Sequence, residues 1–313
     1  MINANQIKTI VRRYQFDAVG ITYPALSEKY YRAFEKWLEN GYHGGMEWLL
    51  GVREERRDIR TKYPWANSVL VVLENYAGET VTARNGLQYS QYAVGQDYHK
   101  VIKNKLQKVL SDIRDIAGNI KGKIFVDSGP ILEKAFAEQA GLGWIGKNGV
   151  LIGKDMGSFC FIGVLLLSIE LEPDKPCRNL CGDCRKCIDA CPNAAIIEPG
   201  LLDCERCISY LTVEKRGDFR SDEAALIHNW VYGCDICQNV CPWNEKWATK
   251  CYHQCYHLYQ NEIRDYIGFE KKTNVDIFKR VFENTPAGRI GFEQMKRNID
   301  AALKIYKQRE KHE

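Results

Sequence analysis

Cysteine is the residue type whose number and spacing in this sequence most clearly indicate chemistry. The chain has 313 residues and contains 13 cysteines. Cys160 stands apart, and the others fall between Cys177 and Cys255. An odd number of clustered cysteines in a chain of this length is not typical of a secreted disulfide framework. The clustering therefore indicates metal binding.

Two segments have cysteine spacings typical of bacterial ferredoxins. The first reads Cys181-x2-Cys184-x2-Cys187-x3-Cys191-Pro192, and the second, which lacks one cysteine, reads Cys234-x2-Cys237-x3-Cys241-Pro242. In ferredoxins, closely spaced cysteines bind one 4Fe–4S cluster, and the cysteine before proline binds the neighbouring cluster. This crossing predicts a first cluster on Cys181, Cys184, Cys187 and Cys241. It predicts a second cluster on Cys191, Cys234 and Cys237.

The second cluster needs one more ligand, and the spacing leaves both Cys204 and Cys207 open. Zinc sites with four thiolates are the main alternative to the clusters, and buried unreactive thiols are a further one. Two interleaved sets that each contain a Cys-Pro pair favour two 4Fe–4S clusters, whose chemistry is electron transfer. The segment 251–257 holds further cysteines and histidines. There we expect exposed side chains rather than a metal site.

Composition and charge define the class of protein that positions these cysteines. Hydrophobic residues make up 45% of the chain and charged residues 27%, as in a globular protein of about two domains. The net charge of +4 does not by itself indicate a nucleic-acid partner. The N-terminus lacks the apolar core of a signal peptide, and the apolar stretch 159–167 is too short to span a bilayer. We therefore expect a cytoplasmic protein with no membrane partner.

The first half of the chain reads as a sheet with helices around it. Buried strands are predicted at 68–73, 123–126 and 159–169. The segment 97–116 predicts a long amphipathic helix, and the glycine-rich segment 140–149 predicts a tight turn with close helix–strand packing. The composition changes near Pro173. We predict an α/β domain at 1–172, a ferredoxin-like domain at 173–247 and a helical region at 248–313.

Several motifs in one order resemble a known family, the cobalamin-dependent epoxyqueuosine reductases of tRNA modification. The motifs are Gly41-Tyr-His-Gly-Gly-Met-Glu-Trp48, Gly95-Gln-Asp-Tyr-His99, Val126-Asp-Ser-Gly-Pro130, Ala140-Gly-Leu-Gly-Trp-Ile-Gly-Lys-Asn148, Arg206-Cys-Ile-Ser-Tyr-Leu-Thr212 and Gly233-Cys-Asp-Ile-Cys-Gln-Asn-Val-Cys-Pro-Trp-Asn244. The resemblance covers residues 40–244 and extends more weakly through 278–303.

The resemblance implies an α+β architecture. A nitroreductase-like cobalamin-binding domain is followed by a ferredoxin-like domain with two 4Fe–4S clusters. A short C-terminal helical region, a truncated form of the family's helical repeat, completes the chain. The family's motif selects Cys207 as the remaining ligand of the second cluster. The positions that carry over as cobalamin contacts are Ser90, Asp127, Ser209 and Asp235, with Tyr98 and His99 in the same pocket.

The resemblance also implies an activity. The protein would reduce epoxyqueuosine to queuosine at the tRNA wobble position, using cob(I)alamin supplied with electrons by the clusters. Asp127 would donate the proton, and we expect burial beside the corrin to favour its protonated form at neutral pH. An Asx-turn, in which Asp127 only binds nearby backbone, is the structural alternative. Its partners would be tRNA that bears epoxyqueuosine and an external reductant of the flavodoxin or ferredoxin type, with the enzyme a monomer.

Two other functions and one surface remain open at this point. One alternative is a reductive dehalogenase-like cobalamin enzyme that acts on a small molecule, and the other is a ferredoxin-type electron carrier. The absence of an export signal and the size of the first domain count against them. Near the C-terminus, basic side chains either meet tRNA phosphates or form a solvated helix face. They are Arg289, Lys296, Arg297, Lys304 and Lys307.

Overall fold

The computed structural model of the protein describes residues 2–249, 251–268 and 274–309. Helices and strands both occur along this length, which gives an α+β fold. The helices are α1 (Ala4–Arg13), α2 (Glu28–Glu39), α3 (Arg53–Arg57), α4 (Tyr98–Ala117), α5 (Glu133–Gln139), α6 (Lys186–Asp189), α7 (Glu223–Leu226), α8 (Ile236–Asn239), α9 (Pro242–Trp247), α10 (Gln260–Gly268), α11 (Val275–Phe282) and α12 (Gly291–Arg309). The strands are β1 (Ala18–Thr22), β2 (Ser68–Asn75), β3 (Val81–Thr82), β4 (Gln88–Tyr89), β5 (Gly122–Phe125), β6 (Gly143–Ile145), β7 (Leu151–Gly153), β8 (Cys160–Leu167), β9 (Ile196–Glu198), β10 (Leu201–Leu202) and β11 (Trp230–Tyr232).

The largest sheet has the strand order β1-β2-β8-β5, and every neighbouring pair in it is antiparallel. β2 and β8 pair from Ser68 opposite Leu167 to Asn75 opposite Cys160. Every side chain of β2 is buried. A strand that is buried on both faces is a continuous apolar run, which is why the sequence predicted these strands.

Helices cover both faces of this sheet. Leu70 and Val72 of β2 share one core with α1 and α4, whereas Val69 and Val71 share another core with α5. This division follows the alternation of side chains along a strand. α4 begins where the Asp97 side chain accepts a hydrogen bond from the backbone N–H of His99. The cap places the first turn of α4, and therefore Tyr98 and His99, at the edge of the sheet.

The Cys-rich region is joined to the first region by a second sheet. β11 pairs in parallel with β4, and β4 pairs antiparallel with β3. The rings of Tyr89 and Tyr232 stack with centroids 5.1 Å apart, and Phe282 of α11 packs on the same Tyr89 ring. One hydrophobic core thus takes residues from all the predicted regions. The domain boundaries stay a prediction.

The glycine-rich segment forms the hairpin β6–β7. A side chain at Gly143 would lie 2.0 Å from the carbonyl oxygen of Ile152 on the facing strand, so only glycine fits there. Trp144 and Ile152 pack against Cys241 in a small core of their own. The structure has the expected tight, closely packed turn, and the hairpin packs against a cysteine of the first predicted set. No described helix is both long and apolar enough to cross a membrane.

The polar end of β2 is covered by the segment after α9. Glu74 has no exposed surface, and it accepts hydrogen bonds from Lys105 Nζ at 2.8 Å and from the Tyr256 hydroxyl at 3.0 Å. Cys251 is also buried, with its thiol directed at the Asn75 carbonyl oxygen. The expectation of exposed side chains throughout 251–257 is therefore wrong. β2 extends to Asn75, beyond the predicted end, and its last residues need polar partners.

Lys105→Met tests how far the fold depends on the buried Glu74 carboxylate. The substitution keeps the apolar stem but removes the charged donor, so we expect the free energy of unfolding to fall by about 2–3 kcal/mol. Denaturant unfolding followed by circular dichroism measures it. Lys108→Met, at an exposed position of the same helix, is the control and should change stability by less than about 0.5 kcal/mol. Equal losses in the two variants would contradict the prediction.

Candidate functional site

An open cavity of about 290 Å³ lies where the first region, the Cys-rich region and the C-terminal helices meet. Its wall combines apolar side chains with a few acidic, basic and hydroxyl groups and with thiols. The lining residues are Met46, Tyr92, Tyr98, His99, Asp127, Leu202, Cys204, Cys207, Ser209, Tyr210, Val213, Glu214, Tyr232, Pro286 and Arg289. Such a concave mixture of apolar surface and convergent polar groups is typical of a cofactor or substrate site.

Asp127 stands at the cavity wall directly after β5. Its carboxylate oxygen Oδ2 accepts a hydrogen bond of 2.6 Å from the Tyr98 hydroxyl, and His99 Nε2 lies 3.6 Å from the same oxygen. The other ring nitrogen of His99 lies 2.6 Å from Asp97 Oδ1. Asp127 has a φ of +46°, and its backbone N–H donates to Glu133 Oε1 at 2.7 Å. The arrangement therefore joins an acid, an imidazole and a phenol at one place.

The charges of this group depend on its neighbours. Burial raises the pKa of Asp127, but the nearby His99 ring and the hydrogen bond from Tyr98 outweigh burial and hold it below its usual value. Burial likewise lowers the pKa of His99, yet the carboxylates of Asp127 and Asp97 raise it to about 9. In this arrangement the carboxylate is ionised and the imidazole carries the proton. The protonated form of Asp127 was expected beside a bound corrin, and that expectation stays a prediction.

The position of Asp127 explains why burial and polar neighbours both affect the pKa of this side chain. Its side chain is 59% exposed, because the cavity in front of it is open. The protein surrounds it on the other sides, which is the source of the desolvation. A group that fills the cavity would remove the remaining water and strengthen the interactions of the carboxylate with its neighbours.

Ser90 and Asp235 do not line this cavity, although both were predicted to contact the cofactor. They are buried, and Ser90 Oγ donates a hydrogen bond to Asp235. Asp235 also accepts from Thr80 Oγ1 at 2.8 Å and from the backbone N–H of Gln91 at 3.0 Å. Burial raises the pKa of Asp235 despite these donors. The structure thus brings Tyr98, His99, Asp127 and Ser209 together and leaves Ser90 and Asp235 in an internal network.

The first predicted cysteine set lies around one small space. Its members line the same pocket beside the β6–β7 hairpin, and they are Cys181, Cys184, Cys187 and Cys241. Burial raises the pKa of Cys187, and Cys181, Cys241 and Cys184 raise it further. Thiols that raise one another's pKa in this way become ligands when a metal binds, because the metal stabilises the thiolates.

The second predicted set adjoins the cavity. Burial raises the pKa of Cys234, and the neighbouring Cys237 and Cys207 add to the shift. Cys207 also has Cys191 among its electrostatic neighbours, and it lines the cavity wall. Cys204 lies beside Cys207 and the same cavity, where burial raises its pKa to about 12. The geometry therefore places Cys207 between the other second-set thiols and the cavity.

Arg297 has a structural role that neither interpretation of the basic residues foresaw. Its guanidinium lies 4.0 Å from the centroid of the Phe219 ring and donates to the carbonyl oxygens of Lys215 and Leu211, each at 3.1 Å. Lys296 pairs with Asp300 on the same helix at 2.6 Å. Arg297 therefore holds α12 against the segment 211–219 and is not free for a phosphate.

Several groups at the cavity carry no clear signal in the sequence. Arg289 was expected either to meet phosphates or to lie on a solvated helix face, but it lines the cavity and pairs with Glu214. Tyr92 and Tyr232 form adjacent parts of the wall, with ring centroids 5.9 Å apart. Their motifs contain no spacing that signals a site, because strand pairing between distant segments brings them together. The only indication of these groups in the sequence was indirect, because the Arg206–Thr212 and Gly233–Asn244 motifs lie near some of them in the chain.

Comparisons with known proteins address both halves of the chain. The model of the 4Fe-4S double cluster binding domain matches residues 180–244, and the model of epoxyqueuosine reductase QueG matches residues 56–128. A protein of Leadbetterella byssophila named epoxyqueuosine reductase is 39% identical over 297 residues, which are 95% of this chain and 97% of that protein. The double-cluster match decides between iron–sulfur clusters and zinc.

Solved structures show the same fold. A crystal structure of epoxyqueuosine reductase with an epoxyqueuosine-modified tRNA stem loop matches 97% of this chain and 81% of that chain, with a TM-score of 0.85 and 28% identity. A Bacillus subtilis epoxyqueuosine reductase, described with its catalytic aspartate loop swung out of the active site, matches 97% of this chain and 83% of that chain. Its TM-score is 0.84 and its identity 26%.

Cys207→Ser and Cys204→Ser form a matched pair that tests the ligand choice. Cys207 adjoins the other second-set thiols, so its loss should remove one cluster and leave about four of about eight iron atoms per chain. Cys204→Ser should keep all of them, because Cys207 is the one second-set thiol among the main electrostatic neighbours of Cys204. Iron and sulfide analysis after anaerobic purification measures both. Iron loss in Cys204→Ser that equals the loss in Cys207→Ser would show the choice to be wrong.

Proposed function

The chain belongs to the epoxyqueuosine reductase family, and from this premise we propose that it reduces epoxyqueuosine to queuosine in tRNA. One observation in the structure supports the proposal independently of family membership. The same cavity is bordered by Cys207 of the second cysteine set and by the Asp127–His99 pair. A deoxygenation needs electrons and protons at one place, and this cavity adjoins a group that can supply each.

The cofactors follow from the two halves. The double-cluster domain binds two 4Fe–4S clusters, and we assign them the ligand sets Cys181, Cys184, Cys187, Cys241 and Cys191, Cys207, Cys234, Cys237. Cobalamin is larger than the cavity, so we propose that the cavity receives one part of it. The opening, the apolar and polar walls and the neighbouring second set suit that part. When bound, cobalamin supplies the low-valent cobalt that delivers electrons to the substrate.

We assign the cavity residues distinct parts in holding that cofactor. Tyr98, His99, Asp127 and Ser209 line the wall and contact the bound group. Ser90 and Asp235 lie behind it and stiffen the wall through their buried hydrogen bond. This first region is then the nitroreductase-like cobalamin-binding domain at 1–172. The double-cluster domain at 173–247 and the helical region at 248–313 close the cavity from the other side.

When bound, the two clusters would supply a path for electrons, from the first cluster to the second. Cys181 and Cys184 are partly exposed in a loop and Cys187 is partly exposed in α6, whereas Cys207 borders the cavity. An external reductant of the flavodoxin or ferredoxin type would therefore dock near the first cluster. Two clusters in series carry the electrons from that surface to the cavity.

Protons reach the substrate through Asp127. Conversion of an epoxide to an alkene uses two electrons and two protons and releases the oxygen as water, so an acid must protonate the departing oxygen. Asp127 is ionised at rest, and His99 stores a proton 3.6 Å away. We propose that one proton passes from His99 Nε2 to Asp127 Oδ2 and from there to the oxygen, and that solvent at the open side of the cavity supplies the second proton. The Tyr98 hydroxyl keeps the carboxylate oriented meanwhile.

The Asp127 turn can be compared with a loop that changes position in a related enzyme. The Bacillus subtilis relative is described with its catalytic aspartate loop swung out of the active site. By analogy we assign Asp127 to the catalytic loop of this chain and expect that loop to hold Asp127 in the cavity during the reaction. The relative with a bound tRNA stem loop supports a tRNA nucleoside as the group that enters from the open side.

The other two functions receive less support. Relatives that match over nearly the whole chain are epoxyqueuosine reductases, which disfavours a small-molecule dehalogenase. A simple electron carrier has no use for a cavity with an acid at its wall. We further propose that the enzyme acts in the cytoplasm, where its tRNA substrate is found. We also propose that the enzyme is a monomer.

Asp127→Asn tests the proposed function at its acid. Asparagine tolerates the same left-handed backbone and keeps an acceptor oxygen, but it cannot transfer a proton. We expect turnover to fall by about 10²–10⁴-fold, with iron content and cobalamin binding near those of the wild type. Nucleoside analysis of epoxyqueuosine tRNA after incubation with reconstituted enzyme and a chemical reductant measures it.

Asp155→Asn is the matched control, because Asp155 also has a positive φ, of +58°, and is exposed outside the cavity. It should convert epoxyqueuosine to queuosine as fast as the wild type. Wild-type turnover in Asp127→Asn would mean that Asp127 only forms a turn. If the wild-type protein does not form queuosine, the proposed function is wrong.

A further inference from the structure

The Asp127 turn has a backbone that needs support. Asp127 has a φ of +46° and Gly129 a φ of +83°, both in the left-handed region. Aspartate adopts this region more readily than most residues, but the conformation still costs free energy unless the surroundings hold it. A side chain at Gly129 would lie 2.8 Å from the Phe125 ring, so the turn also packs closely on the end of β5.

Glu133 contacts this turn directly. It is the first residue of α5, and its Oε1 accepts the backbone N–H of Asp127 at 2.7 Å. Burial raises the pKa of Glu133 well above its usual value, and the charge of Asp127 raises it further. The negative charge of the pair therefore resides on Asp127, where Tyr98 and His99 donate. A neutral Glu133 still accepts the N–H through its carbonyl oxygen.

Arg56 holds the other side of the same turn. Its guanidinium is buried and donates to the Ile131 carbonyl oxygen at 3.1 Å and to the Gly129 carbonyl oxygen at 3.4 Å. The Phe34 and Trp48 rings lie 5.5 and 5.6 Å from the guanidinium carbon. These contacts position Arg56, so the turn is fixed at its start by Glu133 and at its end by Arg56.

We propose that Glu133 is a positioning residue for the proton donor. By accepting the Asp127 N–H, and with Arg56 on the following carbonyls, it keeps the turn in the conformation that directs the Asp127 carboxylate at Tyr98 and His99 in the cavity. The inference deepens the proposed function and rests on it, because Glu133 gains this role only if Asp127 delivers the proton. Glu133 itself contacts neither cofactor nor substrate in this account.

Two substitutions at one position separate the acceptor from the charge. Glu133→Gln keeps a carbonyl oxygen in the same place and resembles the neutral acid, so turnover should stay within about threefold of the wild type. Glu133→Ala removes the acceptor and releases the turn. Its turnover should fall by about 10- to 100-fold with the KM for tRNA unchanged, because misplacing a catalytic group by about 1 Å costs on this order.

Hydrogen exchange gives a readout that does not depend on activity. The backbone N–H of Asp127 should exchange at least about tenfold faster in Glu133→Ala than in the wild type, and at the wild-type rate in Glu133→Gln. Mass spectrometry of a peptide that contains residues 126–131 measures it. Glu138→Ala is the control, since Glu138 is a buried carboxylate of the same helix that lies 3.8 Å from Lys29 instead. It should alter neither exchange of this peptide nor turnover per folded enzyme.

The outcomes distinguish this inference from the proposed function. Unchanged exchange in Glu133→Ala would contradict the contact, and faster exchange with wild-type turnover would contradict the positioning role. A turnover loss in Glu133→Gln as large as in Glu133→Ala would show that the acid itself, rather than its acceptor oxygen, is required. Asp127→Asn could keep full turnover while the Asp127 N–H still exchanges faster in Glu133→Ala. In that case Asp127 is not the proton donor, but the contact between Glu133 and the Asp127 N–H is confirmed.

Discussion

The site depends on one interaction, the contact of the Asp127 carboxylate with the Tyr98 hydroxyl and the His99 ring. It joins the turn after β5 to the first turn of α4, and the other end of β5 packs directly on α4, where Gly122 lies against Leu110. The long amphipathic helix and the central antiparallel sheet fix the distance between them. The same contact sets the charges, because an ionised carboxylate beside a protonated imidazole is stable where either charge alone would be costly to bury.

In the Cys-rich half of the molecule, the site depends on the exchange of cysteines between the two runs. Cys241 comes from the second run but lines the space of the first set, and Cys191 comes from the first run but adjoins the second set. This exchange ties two chain segments together, and β11, which precedes the second run, pairs with β4 of the first region. The electron path and the acid are thereby held on opposite sides of one cavity. Cluster binding and the shape of the cofactor site are therefore parts of the same fold.

Local patterns were sufficient for some of these features. The β2 and β8 strands are continuous apolar runs, the cap of α4 is an ordinary Asp at the N-cap, and the spacing predicts all the cluster ligands except the choice between Cys204 and Cys207. Other features depend on neighbours that are distant in sequence. The lowering of the Asp127 pKa was not foreseen, because Tyr98 and His99 could not be placed against Asp127 from the sequence. Arg297 looked like a free cation, although its partners are backbone carbonyls of a loop far along the chain.

The ionisation of His99 is the most direct test of this account. Nitrogen NMR of the ring in labelled protein, assigned by comparison with His99→Gln, reports whether both ring nitrogens carry protons. We expect an imidazolium at about pH 7.5 that loses its proton only as the pH rises through about 9, since the folded-state pKa is raised from 6.5. Asp127→Asn should lower that pKa. A ring that is already neutral at about pH 7.5 would contradict the storage of a proton beside Asp127.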